Sequence, residues 1–87
     1  MKSEELLSFP CHITVKAMGH GDRDLHRTVM AILNEHITRG EEDTLKITPS
    51  RTGKYVSVSI RVWAEERAQM DRVYQALTDH EHVLMAL

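Results

Sequence analysis

The residues best suited to chemistry in this chain are one cysteine and six histidines, and their spacing limits what they can do together. Cys11 and His12 are the types that a thiol nucleophile and its base require. Neighbours on an extended chain point to opposite faces, so this pair cannot share a proton there. A small buried thiol beside a solvated histidine is the better reading. His80 and His82 would share a face if the chain is extended there, with Glu81 turned away. Two ligands fall short of the four that close a structural zinc site, or the three of a catalytic one. His20 and His26 could add ligands, but nothing in the spacing brings them to the pair. No metal and no cofactor are expected.

The carboxylates give no acid–base pair either. Asp22 and Asp24, Glu41 to Asp43, Glu65 and Glu66, and Asp79 and Glu81 all fall at helix starts or in turns, where negative charge offsets the helix dipole. Capping explains them better than catalysis. The stretch "GHGD" at Gly19–Asp22 has two glycines but neither the third glycine of a dinucleotide fingerprint nor a P-loop lysine. Its backbone N–H groups precede a helix, so a small anion could bind at this turn. The chain is expected not to be an enzyme.

The elements that position these residues are legible from periodicity. Phe9 to Met18 alternates, with Ile13, Val15 and Ala17 on one side and His12, Thr14, Lys16 and Met18 on the other, which predicts a half-buried strand. "GHGD" is the following turn, with Asp22 as the helix cap. Asp22 to Ile37 reads as a helix through Leu25, Val29, Ile32 and His36, widened by Leu33 and Ile37. Arg39 to Asp43 forms a polar connection in which Gly40 stops the helix. Thr44 to Thr48 is a short strand with Leu45 and Ile47 inward, and "PSRTG" is a hairpin loop because Pro49 cannot continue a ladder. Lys54 to Trp63 is the longest strand. A second helix covers Glu65 to Leu77, burying Met70, Val73, Tyr74 and Leu77. It has no serine, threonine or asparagine cap, so its first turn is expected to fray. "VLMAL" closes the chain as a strand.

The order β-α-β-β-α-β, with two helices able to cover only one face of four strands, predicts an α+β fold: the ferredoxin-like plait, a four-stranded antiparallel sheet. One domain spans residues 1–87, with residues 1–8 a flexible or short extension. Val56, Val58, Ile60 and Val62 then lie under the helices. Tyr55, Ser57, Ser59, Arg61 and Trp63 lie on the open face, beside His12, Thr14, Lys16 and Met18. Small hydroxyls between two aromatics let a ligand or a second sheet approach the backbone closely, and tyrosine and tryptophan are enriched at interfaces. A merely solvated face accounts for the same pattern equally well.

Bulk properties exclude some functions. The net charge is −2, which argues against a strong nucleic-acid binder. RNA recognition through the open face remains the alternative, since RNA recognition motifs share this element order. "TGKYVSV" supplies Tyr55, but serine fills the next two outward positions, leaving the stacking platform incomplete. The single cysteine suits a reducing cytoplasm. "MKSEELLSF" carries Glu4 and Glu5 and lacks the apolar stretch of a secretory signal, and no apolar run approaches the ~20 residues of a membrane span. A cytoplasmic chain without membrane contact is expected.

Several stretches together carry a family resemblance: Phe9–Pro10, "GKYVSVSI" with Ser50 ahead of it, "VYQAL" at Val73–Leu77 and "VLMAL". The chain resembles the YbeD-like family of small bacterial proteins over nearly its whole length. The resemblance implies the same plait, similar in shape to regulatory domains of the ACT type, which commonly pair subunits and hold a ligand at the seam. It supplies no catalytic residue, and hints at a regulatory link to lipoate metabolism. Relatives often place a hydroxyl residue ahead of the second helix, where this chain has Glu65. The expected function is a small non-catalytic regulatory or adaptor module that binds a metabolite or a protein, with a homodimer compatible with that role. The candidate binding residues are His12, Lys16, Gly19, His20, Gly21, Tyr55, Ser57, Ser59, Arg61 and Trp63.

Overall fold

Alternate valines and isoleucines organise the core around the third strand. In the computed structural model, which describes residues 8–38 and 40–87, the elements are β1 (Cys11–His20), α1 (Leu25–His36), β2 (Gly40–Pro49), β3 (Tyr55–Ala64), α2 (Arg67–Asp79) and β4 (Met85–Ala86). The strands form one sheet in the order β2-β3-β1-β4, antiparallel throughout. This is the expected ferredoxin-like plait. Val58, Ile60, Val62 and Ala64 of β3 and Val15 and Ala17 of β1 are buried against Leu25, Val29, Ile32 and Leu33 of α1 and Met70, Val73 and Leu77 of α2. Each such large side chain, fully buried, contributes roughly 1.5–3 kcal/mol.

The element boundaries differ from the periodicity reading in instructive ways. β1 runs two residues beyond Met18, because Gly19 pairs with Val56 and His20 with Tyr55. A Cβ at Gly19 would run into the His82 carbonyl oxygen and crowd Leu25, so only glycine lets the strand continue under that turn. Asp22 does not cap α1; Asp24 holds the N-cap position, without a side-chain capping bond. The helix ends at buried Ile37, which turns extended at φ −128° and ψ 129° while its N–H still reaches Leu33 O. Gly40 is therefore not the helix stop but the first residue of β2. Arg39, and residues 1–7 of the expected N-terminal extension, lie outside the described residues.

The polar stretch expected to be a loop is mostly strand. β2 pairs Glu41 with Arg61 and then Lys46 with Ser59, so four residues of β2 stand opposite Ile60 alone. This bulge leaves the Arg61 N–H without a regular ladder partner, and the Thr44 hydroxyl accepts it at 2.9 Å. Leu45 packs on the core as expected, but Ile47 does not. It pairs with Val58, on the core side of the sheet, yet is 47% exposed, because the edge strand reaches past the helices. Pro49 stays in the ladder opposite Val56, where an edge strand tolerates a missing donor. The hairpin turn follows, with Gly53 at φ 77°.

α2 begins two residues later than Glu65, and its first turn is held. The backbone N–H of Glu65 donates to Gln69 Oε1 at 2.8 Å, while Gln69 Nε2 donates to the His36 carbonyl at 3.0 Å. This is a variant of the capping box, with the glutamine reaching back to the chain entering the helix. At the other end, only Met85 and Ala86 of "VLMAL" form strand. Val83 is instead drawn into the core.

Candidate functional site

Strand alternation divides the sheet cleanly, and the open face is built in register. His12 pairs with Trp63, Thr14 with Arg61, Lys16 with Ser59, Met18 with Ser57 and His20 with Tyr55. Directly opposite residues of an antiparallel pair share a face, so ten side chains from β1 and β3 form a two-column surface opposite the helices. β2 adds a third column: Lys46 stands opposite Ser59 and Thr48 opposite Ser57.

Aromatic contacts close this surface at both ends. The His12 and Trp63 rings meet edge to face at 4.9 Å between centroids. His20 lies against Tyr55 at 5.7 Å, and Lys54 Nζ sits 5.6 Å from the Tyr55 ring centre, within cation–π range. Between these ends the face is floored by Ser57 and Ser59, both half-buried, with Met18 and Lys16 beside them on β1 and Thr48 and Lys46 on β2. Around Ser59 there is a shallow depression of about 330 Å³, lined by Thr14, Thr44, Lys46, Ser59 and Arg61. Small floor residues and longer walls produce that depth.

The candidate residues thus fall into two groups. His12, Lys16, His20, Tyr55, Ser57, Ser59, Arg61 and Trp63 share the open face. Gly19 and Gly21 do not join it. Gly19 abuts Leu25 on the helical side, and the Gly21 N–H is bound to the Lys54 carbonyl at 2.8 Å, so it is no longer a donor for an anion. Lys46 and Thr44 belong to the depression and were absent from the expected set. Lys46 was legible, since Leu45 and Ile47 inward place it outward. Thr44 was legible by the same alternation, but its acceptance of the Arg61 N–H beside the bulge was not.

The histidines meet in a turn rather than on a strand. His80 and His82 have ring centroids 4.8 Å apart, and the His82 N–H donates to His80 Nδ1 at 3.0 Å. His82 Nδ1 lies 3.2 Å from the Thr28 hydroxyl, and Nε2 lies 3.3 Å from Arg23 Nη1. These bonds tie the α2–β4 turn to the start of α1, which is a structural role. Neither His20 nor His26 is among the partners of this pair, and no group of three metal-ligating side chains gathers among the described residues. Cys11 is half-buried. A hollow of about 610 Å³ between α1 and α2 is walled by Arg27, Glu35 and Asp79 among others, so its charges are of both signs. Among the described residues no helix is long and apolar enough to cross a membrane.

Comparison with known proteins supports this architecture. The chain matches, over residues 4–87, the family described as "Protein of unknown function (DUF493)". It is 34% identical to a UPF0250 protein of Nitrosomonas europaea over 87 residues, covering both chains completely. It is 36% identical to a UPF0250 protein of Idiomarina loihiensis over 84 residues, covering 97% of this chain and 93% of that one. A UPF0250 protein of Vibrio parahaemolyticus is 35% identical over 86 residues, with 99% and 91% covered. Among solved structures, the ACT domain of a GTP pyrophosphokinase from Chlorobium tepidum superposes with a TM-score of 0.70, covering 87% of this chain and 94% of that one, at 6% identity. That likeness shows the fold alone. The YbeD-like resemblance and the ACT-like plait expected from the residues both stand, and the chain belongs to the DUF493, or UPF0250, family of bacterial proteins.

Proposed function

We propose that this protein is a small non-catalytic regulatory or adaptor module that binds a metabolite or protein partner through the open face of its sheet. The observation that carries this reading is the in-register face itself. Ser57 and Ser59 form a low floor between the Trp63–His12 and Tyr55–His20 aromatic ends, with a depression set into it. A core-forming sheet needs no such arrangement on its outer side, where any polar residue would suffice. Among the described residues no nucleophile, base and orienting partner come together on the face, and we read it as a binding face. The family resemblance places lipoate and octanoate among the first compounds to try.

A thermal-shift screen of the purified protein against amino acids, lipoate, octanoate, nucleotides and divalent metals tests this reading. A ligand at a hundred times its dissociation constant stabilises by about 2.7 kcal/mol, a shift of roughly 10–20 °C for a domain of this size. Ser57→Tyr fills the floor between Met18 and Thr48 and should abolish the response while the unliganded protein keeps its fold. A response that survives Ser57→Tyr unchanged would remove the face from consideration.

A further inference from the structure

We propose that the depression around Ser59 is a phosphate site, taking the phosphate group of a small phosphorylated metabolite. This rests on the reading of the open face as a binding face and names the chemistry at its centre. Lys16 of β1 and Lys46 of β2 both stand opposite Ser59 of β3, so one row across three strands reads Lys-Ser-Lys. Strands are spaced about 4.8 Å apart, which puts the two lysine backbones roughly 10 Å apart, within reach of one group held over the serine. Arg61 follows two residues along β3 on the same face, with Thr14 beside it. Lys46 and Arg61 thus line the depression together with the hydroxyl-bearing Thr14, Thr44 and Ser59, and Lys16 stands in the same row on the far side of Ser59.

The charge on β1 and β3 of the open face differs from that of the chain as a whole. The chain as a whole carries a net charge of −2, yet the outward residues of β1 and β3, with Lys46 and Thr48 of β2, include no carboxylate. Glu41 stands at the register position opposite Arg61, and Glu42 and Asp43 follow it in the bulge that leads to Thr44. Among the described residues none of Lys16, Lys46 and Arg61 is in an ion pair. Two lining cations, with Lys16 in the same row, suit a group of nearly two negative charges better than a single carboxylate. The planar fork of arginine and the hydroxyl donors match the several oxygens of a phosphate. The depression, about 330 Å³, lies at the small end of ligand sites. It fits one compact molecule. A nucleic-acid strand would need bases stacked close to its phosphates, but Tyr55 and Trp63 lie four residues to either side of Ser59.

The test is an amide NMR titration of the full chain with inorganic phosphate at constant ionic strength, with acetate as the carboxylate arm and a short single-stranded RNA as the polyanion arm. Saturable shifts at Thr14, Thr44, Ser59 and Arg61 are expected with phosphate and much weaker ones with acetate. Arg61→Gln and Lys46→Gln should each weaken phosphate binding by roughly tenfold, the usual scale for one charge-assisted bond. Arg27→Gln, in the groove between the helices, should change nothing. Equal shifts with acetate, phosphate shifts centred on the helices, or binding indifferent to Arg61→Gln would each overturn the site. Tight, steeply salt-dependent binding of the RNA with phosphate silent would overturn it in favour of a polyanion. If phosphate is silent but a screened compound shifts Tyr55, Ser57 and Trp63, the binding face stands and the phosphate site falls.

Discussion

At the residue scale, two positions show how close contacts set what the sequence tolerates. Gly19 sits beneath the α2–β4 turn, and a Cβ there would strike the His82 backbone oxygen rather than a side chain that could swing away. Gly19→Ala should therefore destabilise the protein by roughly 1–3 kcal/mol, the usual cost of overpacking, read as a lower urea midpoint. Gly53→Ala offers a contrast, because nothing lies within 4 Å of a Cβ there, and its cost comes only from the φ of 77°. Tyr74 adds a dependence on pH. Burial pushes its phenol above the usual 10.0, and its hydroxyl donates to the Leu87 carbonyl at 2.9 Å. The folded pKa is raised, so Tyr74's contribution is complete below pH 10 and is lost as pH rises through the folded value. Urea midpoints measured from neutral pH into the alkaline range should fall beyond pH 10, and the fall should be shallower in Tyr74→Phe. An identical alkaline fall in the variant would show that other groups cause it.

At the element scale, Gln69 is the residue on which the second helix turns. It is 7% exposed, and it accepts from the Glu65 N–H while donating to the His36 carbonyl, joining the entry of α2 to the end of α1. Gln69→Ala would leave both backbone groups to find other partners, at about 1–3 kcal/mol for a buried group left unsatisfied. Thermal unfolding should show this, and a variant as stable as the parent would mean that water replaces the side chain without loss. This cap also explains what periodicity could and could not reveal. Strand alternation from Tyr55 to Trp63 placed Ser57, Ser59, Arg61 and Trp63 on the open face correctly, because a period of two depends only on the chain's own geometry. The helix stripes through Leu25, Val29, Met70, Val73 and Leu77 were legible for the same reason. Gln69 was not, because although its bond to the Glu65 N–H is local, its bond to the His36 carbonyl depends on how α2 packs against the end of α1. The bulge in β2 was hidden likewise: "GEEDT" has the composition of a loop, and tertiary pairing with β3 makes it strand. Ile47 was misplaced for a third reason. Its side of the sheet was read correctly, but the helices' lateral reach is not written in the strand.

At the scale of the whole molecule, the sheet's two edges are protected differently, and that difference predicts how the protein fails. The β2 edge carries the bulge and ends in Pro49, both of which discourage another strand from pairing there. The β1 edge relies on the last residues of the chain. Leu84 N–H donates to Met18 O at 2.8 Å, Leu87 N–H to Lys16 O at 2.7 Å, and Lys16 N–H to Leu87 O at 3.1 Å. β4 itself is only Met85 and Ala86, and Leu84, Met85 and Leu87 are all largely exposed, so this guard is held mainly by backbone bonds and the Tyr74 hydroxyl. A chain shortened to end at Val83 keeps that buried residue and the core packing. It loses those three ladder bonds, at about 1 kcal/mol each, which at ~4–8 °C per kcal/mol lowers the melting temperature by roughly 10–25 °C. It also uncovers backbone donors and acceptors beside Met18, a template for a second strand. Light scattering across a dilution series should therefore show concentration-dependent self-association in the shortened chain beyond that of the parent. Equal association in both would mean that β4 does not guard the edge. A melting temperature unchanged by the deletion would mean that the β1 edge is satisfied by water, and that the last four residues add little to the stability of the fold.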